Sequence, residues 1–225
     1  MVAGQKLIFR ALARFVPGLI IISGILFLSA GSVSYWNAWL FLAVLFVPMS
    51  FVIVYLIFRD PELLDKRLNT REKESNQKGV ILSTLVTLLA GFVLSGLDYR
   101  FGWSQMPAWL VFCSALIFLT GYILFFFVMR QNSFASRVVE IQEKQKVIDT
   151  GLYSLVRHPM YFAAVLMFLF MPLVLGSYYS IIPMLFFPFQ MIIRIKNEEE
   201  VLEEGLDGYA EYKKKVKYKI VPFIW

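Results

Sequence analysis

The sequence predicts an all-α integral membrane protein with about six transmembrane helices, the last two forming a short kinked hairpin, and a cytoplasmic C-terminal helix. Of the 225 residues, 59% are hydrophobic, and the mean hydropathy is +0.66, which exceeds what a water-soluble surface tolerates. The charged residues are confined to blocks and leave four uncharged runs, residues 15–58, 79–97, 101–129 and 159–193. Each run reaches about 20 residues, the length that crosses a bilayer as a helix.

The first uncharged run, residues 15–58, is too long for a single crossing and is predicted to fold back on itself. A helix rises about 1.5 Å per residue, so one straight helix would extend well beyond the hydrocarbon core. The turn is predicted at residues 31–37, where small and polar residues stand beside aromatic residues that suit a membrane interface. With the next two spans, this pair makes up a four-helix transmembrane region, residues 1–130.

The last uncharged run, residues 159–193, is predicted to form two short crossings that turn near residues 176–179. Pro172, Pro183 and Pro188 would kink or break these helices. Such breaks are tolerated only where neighbouring protein satisfies the freed backbone groups.

A cytoplasmic helix is predicted for residues 194–216, and the glycines of residues 205–208 allow an interruption. The helix begins with acidic residues and ends with basic ones, an order that complements the helix dipole. Together with the hairpin it belongs to a predicted second region, residues 131–225, in which the ionisable residues and turn signals gather.

The distribution of Lys and Arg predicts the topology, because these residues concentrate in cytoplasmic loops. With six crossings and the N-terminus inside, all but one of the 22 basic residues fall on the inner side, the exception being Arg100. This asymmetry predicts a multi-pass protein with both termini cytoplasmic. We expect the plasma membrane for a bacterial source and the endoplasmic reticulum for a eukaryotic one.

Charge and cysteine content narrow the classes of partner. The net charge of +6 lies on the predicted inner face, where anionic lipid headgroups attract basic segments, so nucleic acid is not an expected partner. The single cysteine, Cys113, lies in the middle of a span, which excludes an intramolecular disulfide and a thiolate metal cluster. No metal site is predicted, and the oligomeric state is left open.

Ionisable residues flank the predicted hairpin on both sides. Arg157 and His158 precede it, and Arg194 and Glu198 follow it. Polar residues at bilayer depth are expensive and often functional. Near the interface, however, His158 could equally cap a helix, and residues four apart on a helix commonly form a surface salt bridge. The pattern alone leaves both interpretations open.

An ordered set of short motifs surrounds these residues. Residues 150–153 read Thr-Gly-Leu-Tyr and residues 157–161 read Arg-His-Pro-Met-Tyr. Further along, residues 194–202 read Arg-Ile-Lys-Asn-Glu-Glu-Glu-Val-Leu. Gly208-Tyr209, Tyr212 and Val216 follow, and residues 220–225 read Ile-Val-Pro-Phe-Ile-Trp. This set, spread over residues 138–225, resembles the signature of the isoprenylcysteine carboxyl methyltransferase family.

The resemblance implies a membrane-embedded methyltransferase that uses S-adenosylmethionine and methylates a carboxylate of a hydrophobic or lipidated acceptor. Arg194 resembles the residue that holds the acceptor carboxylate. At the upstream edge, Val138, or Glu140 or Gln142 after an alignment shift, occupies the place of a polar cofactor contact. The residues that resemble cofactor contacts are the strand-like stretch Gln145, Lys146, Val147 and Ile148, then Tyr153, His158, Pro159, Met160, Tyr161 and Glu198.

Three other functions remain open from the sequence. A phospholipid N-methyltransferase would share the cofactor pocket and take an amine, for which Glu199 could serve as a base. A sterol-type reductase that uses NADPH has a similar C-terminal region, but the Glu198–Glu199 pair and the short chain favour methyl transfer. A non-catalytic membrane protein fits the span count, whereas the ordered motifs argue against it. A soluble methyltransferase is disfavoured because no glycine-rich G-x-G-x-x-G loop is present.

Overall fold

The structure, a computed structural model, describes residues 2–69 and 75–225, and these residues form helices and connecting loops without a β-strand. A short 3₁₀ helix, Gly151–Ser154, precedes the hairpin. The α-helices in chain order are α1 Val2–Ala30, α2 Trp36–Arg59, α3 Pro61–Leu68, α4 Ser75–Phe101, α5 Ala108–Gln131, α6 Pro159–Val174, α7 Ile181–Met184, α8 Phe187–Gly205 and α9 Tyr209–Lys215.

Among the described residues, four helices are long and apolar enough to cross a membrane, namely α1, α2, α4 and α5. Large apolar side chains on their outer faces are exposed, as at Leu28 (80%) and Phe58 (79%). Such surfaces suit lipid tails, which are as apolar as the side chains themselves. The chain is therefore an all-α membrane protein, in agreement with the first four predicted spans.

The first predicted turn lies where it was expected. Helix α1 ends at Ala30 and α2 begins at Trp36. Gly31 adopts a φ of +65°, a conformation that glycine reaches without a steric penalty. The 15–58 run thus forms two antiparallel helices.

The apolar segment after residue 158 is more irregular than the first four spans. Helix α6 is apolar but shorter, and α7 is a single turn, so the two crossings predicted here stay a prediction. Neighbouring side chains supply the partners that broken helices need. The hydroxyl of Tyr35 donates to the carbonyl of Leu175, and Asn37 Nδ2 donates to the carbonyl of Val174 at 3.3 Å.

Helix α8 is continuous from Phe187 to Gly205, so it begins before the expected start of the C-terminal helix at residue 194. The apolar end of the hairpin and the acidic segment are one helix, because the charged residues after Ile193 favour a helix as well as apolar ones do. The interruption allowed by the glycines is present, since Gly208 has a φ of +82° and α9 follows it.

The packing of α5 against α6 fixes the start of α6, where the Arg-His-Pro-Met-Tyr motif of residues 157–161 lies. This pair makes the most extensive contact between helices of the described residues. At Gly121 the helices approach so closely that a Cβ atom would lie 2.7 Å from Met167 Cγ and 3.1 Å from the carbonyl of Ala163. The glycine is therefore required for this contact, which holds the N-terminal end of α6 against the rest of the bundle.

Candidate active site

A cavity lies at the N-terminal end of α6, between the loop of residues 132–148, α8 and α9. All but one of the residues that the sequence predicts for a site line it, although they come from four separate segments. These lining residues are Gln145, Lys146, Val147, Ile148, Tyr153, His158, Met160, Tyr161, Arg194 and Glu198. Val138 and Glu140 also line the cavity.

Pro159 is the exception, because it lines a separate, apolar pocket with Phe162 and Ile220. Proline occupies the first position of α6, and His158 is the N-cap residue. Proline is favoured there because its missing N–H is not needed in the first turn. Pro159 therefore starts the helix, while His158 before it and Met160 after it line the cavity.

Tyr161 joins Arg194 and Glu198 on the cavity wall. Arg194 Nε donates to the Tyr161 hydroxyl oxygen at 2.9 Å, and the same hydroxyl donates to Glu198 Oε2. Arg194 and Glu198 are one helical turn apart on α8, so they share a face, and Tyr161 reaches them from α6. A cationic hydrogen-bond donor, a hydroxyl and a carboxylate are thus arranged in a row along the cavity wall.

Gln77 holds Arg194 from the first region of the chain. Arg194 Nη1 donates to Gln77 Oε1 at 3.2 Å, and Gln77 Nε2 donates to the Arg194 carbonyl at 3.2 Å. Arg194 Nη2 also donates to the carbonyl of Arg137 at 2.8 Å. The side chain of Gln77 is fully buried. Gln77 precedes the uncharged run of residues 79–97, so the run does not include it, although a glutamine at the end of an apolar span is itself a functional signal.

Arg67 of α3 contacts two residues that line the cavity, Ala135 and Met160. Arg67 Nη1 donates to the carbonyl of Ala135 at 3.1 Å and contacts Met160 Sδ at 3.2 Å. The guanidinium lies 4.8 Å from the ring centroid of Phe125, within the range of a cation–π interaction. Burial lowers the pKa of Arg67 to about 10, so the side chain stays cationic at neutral pH. The sequence offered no motif that marks this role.

Glu199 is the centre of a buried ion-pair network beside the cavity. Arg157 Nε lies 2.7 Å and His158 Nε2 3.1 Å from Glu199 Oε1, and Lys219 Nζ lies 3.2 Å from Glu199 Oε2. Burial raises the pKa of Glu199, but the hydrogen bonds with His158 and Arg157 outweigh burial and hold the pKa well below its ordinary value. Glu199 is thus a paired carboxylate and a poor base.

The same network fastens the C-terminal segment to the start of α6. Arg157 Nη1 donates to the carbonyls of Val216 and Lys217 at 2.7 and 2.8 Å. The backbone N–H of Arg157 donates to the carbonyl of Tyr218, and that of His158 to the carbonyl of Lys219. The Arg-His dipeptide therefore has a structural role besides its place on the cavity wall.

Three tyrosines from the 3₁₀ helix and α9 form an aromatic side of the cavity. Tyr212 donates from its hydroxyl to the carbonyl of Tyr153 at 2.7 Å, and Asn132 Nδ2 donates to the Tyr153 hydroxyl at 2.9 Å. Burial raises the pKa of Tyr153 to about 12, so its ring is a neutral phenol. Tyr209 is buried, and its hydroxyl has no hydrogen-bond partner within the described part of the chain.

The charged groups around the cavity do not resemble a metal site. Within residues 2–69 and 75–225, no three His, Cys, Asp or Glu side chains are grouped so that they could hold a metal ion. The cavity instead combines carboxylates, phenol rings and an arginine with apolar side chains such as Val147 and Met160. Such a surface can bind a ligand that carries cationic, anionic and apolar parts.

A comparison with protein families gives a match over the part of the chain that supplies most of the cavity wall. Residues 109–207 match the model of a family described as phospholipid methyltransferase. The match extends from α5 to the end of α8, so it begins earlier and ends earlier than the resemblance over residues 138–225. A comparison with curated proteins gives no match. The matched family belongs to the isoprenylcysteine carboxyl methyltransferase-like superfamily, so residues 109–207 are similar to a superfamily of membrane methyltransferases.

Proposed function

We propose that this chain transfers a methyl group from S-adenosylmethionine to a carboxylate of a hydrophobic, isoprenylcysteine-like acceptor at the membrane. The observation that carries the proposal is the row formed by Arg194, Tyr161 and Glu198 on the cavity wall. One end of this row suits an anionic acceptor and the other suits a cationic part of the methyl donor.

The residues around the cavity fit S-adenosylmethionine. Its ammonium group matches the Glu198 carboxylate, because ion-paired hydrogen bonds to carboxylates are among the strongest in proteins. Its sulfonium matches the faces of Tyr153 and Tyr161, since aromatic rings attract cations. The buried, unpartnered hydroxyl of Tyr209 marks a place where a polar ligand atom is expected.

The contribution of the protein to methyl transfer is mainly positioning. When bound, the methyl donor supplies an electrophilic methyl group, and the rate depends on how well the acceptor atom is aligned with it. Gln77 and Tyr161 fix the direction of the Arg194 guanidinium. A guanidinium presents its N–H donors in a planar fork that matches the geometry of a carboxylate, which is why Arg194 suits an anionic acceptor. A carboxylate acceptor is already anionic and needs no base.

The membrane setting explains the apolar side of the cavity. A hydrophobic acceptor would reach the cavity sideways from the lipid, between helices, with its reacting end at the level of Arg194. We further propose that α6 to α8 complete six crossings, that both termini are cytoplasmic, and that residues 131–225 form the catalytic region with support from Arg67 and Gln77. Membrane lipid and a hydrophobic or lipidated acceptor are the proposed partners.

Phospholipid N-methylation is the second candidate, and the description of the matched family favours it. An amine must lose its proton before it accepts a methyl group. Glu199 is unsuitable as this base because it forms ion pairs with Arg157 and Lys219 and its pKa is lowered. Glu140 is the carboxylate on the cavity wall that an amine acceptor could use instead. The family match disfavours a reductase and a non-catalytic protein.

Calorimetric titration of the detergent-purified protein with S-adenosylhomocysteine, and separately with NADPH, tests the cofactor. We expect S-adenosylhomocysteine to bind and NADPH not to bind. Glu198→Gln should weaken the binding by about tenfold or more because it removes a charged partner. Glu200→Gln, an exposed glutamate on the same helix, is the matched control and should leave the affinity unchanged. Binding of NADPH without S-adenosylhomocysteine would contradict the proposal.

The acceptor is tested with radiolabelled S-adenosylmethionine and two substrates in the same detergent. Transfer to a farnesylated cysteine with a free carboxylate is expected, and an Arg194→Lys variant should lose most of it, because lysine does not reproduce the bidentate geometry. Transfer to phosphatidylethanolamine alone would favour the second candidate.

A further inference from the structure

Tyr209 is a buried residue of the cavity to which the resemblance assigns no ligand contact. It begins α9, is 4% exposed and lies on the cavity wall. Its position lies just beyond the matched residues 109–207. Tyr212, one turn later, uses its hydroxyl to hold Tyr153, whereas the Tyr209 hydroxyl has no partner among the residues that the structure describes.

A buried hydroxyl without a partner is unusual because its transfer from water is unfavourable unless a hydrogen bond replaces those lost. The Tyr209 ring cannot easily turn away to find one. It packs with Tyr212 at 5.8 Å between ring centroids and against a cluster that includes Val147, Leu202 and Leu206. Since the phenol oxygen lies on the ring axis, a fixed ring fixes the oxygen. The partner must therefore come to Tyr209.

The electrostatic surroundings of Tyr209 indicate what kind of ligand atom this partner is. Glu198 and Glu199 of α8 and the guanidinium of Arg157 are the charged groups that act on its hydroxyl. Of these, Glu198 lines the cavity, while Glu199 is paired with Arg157 and His158. This part of the cavity thus offers one accessible carboxylate, that of Glu198, and one hydrogen-bond donor, the Tyr209 hydroxyl. An α-amino acid carries an ammonium and a carboxylate on the same carbon, which matches this pair.

We propose that Tyr209 donates a hydrogen bond to the carboxylate at the amino-acid end of the methyl donor, while Glu198 binds the ammonium. This inference rests on the proposed function and adds a cofactor-binding residue outside the matched region. It makes α9 part of the binding site and gives the turn at Gly208 a role, because this turn directs α9 back over the cavity.

Calorimetric titration of the full-length protein in detergent with two ligands tests the assignment. S-Adenosylhomocysteine carries the carboxylate, and its decarboxylated analogue S-adenosyl-3-thiopropylamine lacks only that group. Wild-type protein is expected to bind the analogue about tenfold more weakly than S-adenosylhomocysteine. Tyr209→Phe should lower the affinity for S-adenosylhomocysteine by about the same factor and leave the affinity for the analogue unchanged. Where the analogue is too weak for calorimetry, its displacement of radiolabelled S-adenosylmethionine gives the affinity.

A control and a second measurement separate binding from folding. Tyr178→Phe, an exposed tyrosine remote from the cavity, should bind both ligands as wild type does. Without ligand, Tyr209→Phe should unfold at a temperature no lower than wild type, because it removes an unpaired buried hydroxyl. Unchanged S-adenosylhomocysteine affinity, equal weakening of both ligands, or a destabilised free protein would each overturn the assignment. A wild-type protein that binds neither ligand would instead refute the proposed function.

Discussion

Gln77 of α4 and Arg194 of α8 bind each other through two hydrogen bonds, one to the guanidinium and one to the main-chain carbonyl, each 3.2 Å long. The glutamine thereby fixes both the position of α8 and the direction of the arginine side chain. A residue of α4 thus determines the geometry of a site whose wall is formed by α6 and α8.

Gln77→Leu is expected to act on the acceptor and not on the methyl donor. Loss of the amide removes both hydrogen bonds between Gln77 and Arg194, so the free energy of unfolding should fall by about 1–3 kcal/mol. The acceptor KM should rise while the affinity for S-adenosylhomocysteine stays unchanged. Steady-state kinetics and calorimetry check this split, with the exposed Gln105→Leu as control. An equal effect on donor affinity would show that Gln77 supports the whole cavity.

Tyr161→Phe should affect both ligands, because the lost hydroxyl bridges Arg194 and Glu198. Without it, neither charged side chain keeps its partner on α6. We expect about tenfold weaker binding of S-adenosylhomocysteine and a raised acceptor KM. Calorimetry and kinetics on the same preparation measure both quantities. A change in only one of them would mean that the row does not act as a unit.

Glu199→Gln should destabilise the fold more than it affects the chemical step. The substitution leaves Arg157 and Lys219 without their buried carboxylate, and breaking a buried pair costs about 3–5 kcal/mol. Thermal unfolding followed by circular dichroism in detergent measures the loss. The exposed Glu200→Gln variant should unfold like wild type. A Glu199→Gln protein of normal stability that has lost turnover would restore Glu199 as a candidate base.

The stability of the protein is expected to depend on pH through the same carboxylate. The folded-state pKa of Glu199 is depressed, so its contribution is complete above the ordinary glutamate pKa of 4.5 and is lost as the pH falls from there towards the folded-state pKa. Between about pH 5 and pH 3, the unfolding temperature of wild type should fall more steeply than that of Glu199→Gln. Parallel curves for the two proteins would exclude Glu199 as the group responsible.

Gly121→Ala tests the contact that positions α6. Its Cβ would lie 2.7 Å from Met167 Cγ, and overpacking of this kind costs about 1–3 kcal/mol. Gly24→Ala has open space around the new methyl group, so it should be neutral or stabilising. Unfolding temperatures of the two variants give the comparison. Equal stability would show that α5 and α6 can separate without harm.

The sequence predicts the long spans and the residues of the cavity better than it predicts the supports of the cavity. Uncharged runs locate α2 and α5, because bilayer thickness sets a minimum helix length. They miss the true start of α8, because no residue near Ile193 stops a helix. The motifs name His158, Tyr161 and Glu198 as members of one site, and these residues line the same cavity.

The supporting residues escape sequence analysis for a physical reason. Gln77 and Arg67 act through contacts with residues far away in the chain, and local pattern carries no information about such pairs. Tyr209 belongs to the motif set without an assigned role, because its significance lies in a missing hydrogen-bond partner, which only the folded structure reveals. Pro159 shows the converse, since a motif position next to site residues can serve the helix and not the cavity.

The continuity of α8 from Phe187 to Gly205 makes the residue count of its apolar turns a determinant of the site. Each residue of a helix adds about 1.5 Å of rise and about 100° of rotation. One residue inserted before Arg194 would therefore turn Arg194 and Glu198 away from Tyr161 together, even though no cavity residue had changed. The number of residues in α8 before Arg194 thus sets the distance between the apolar start of the helix and the cavity. Insertions in this segment should therefore be tolerated far less than substitutions.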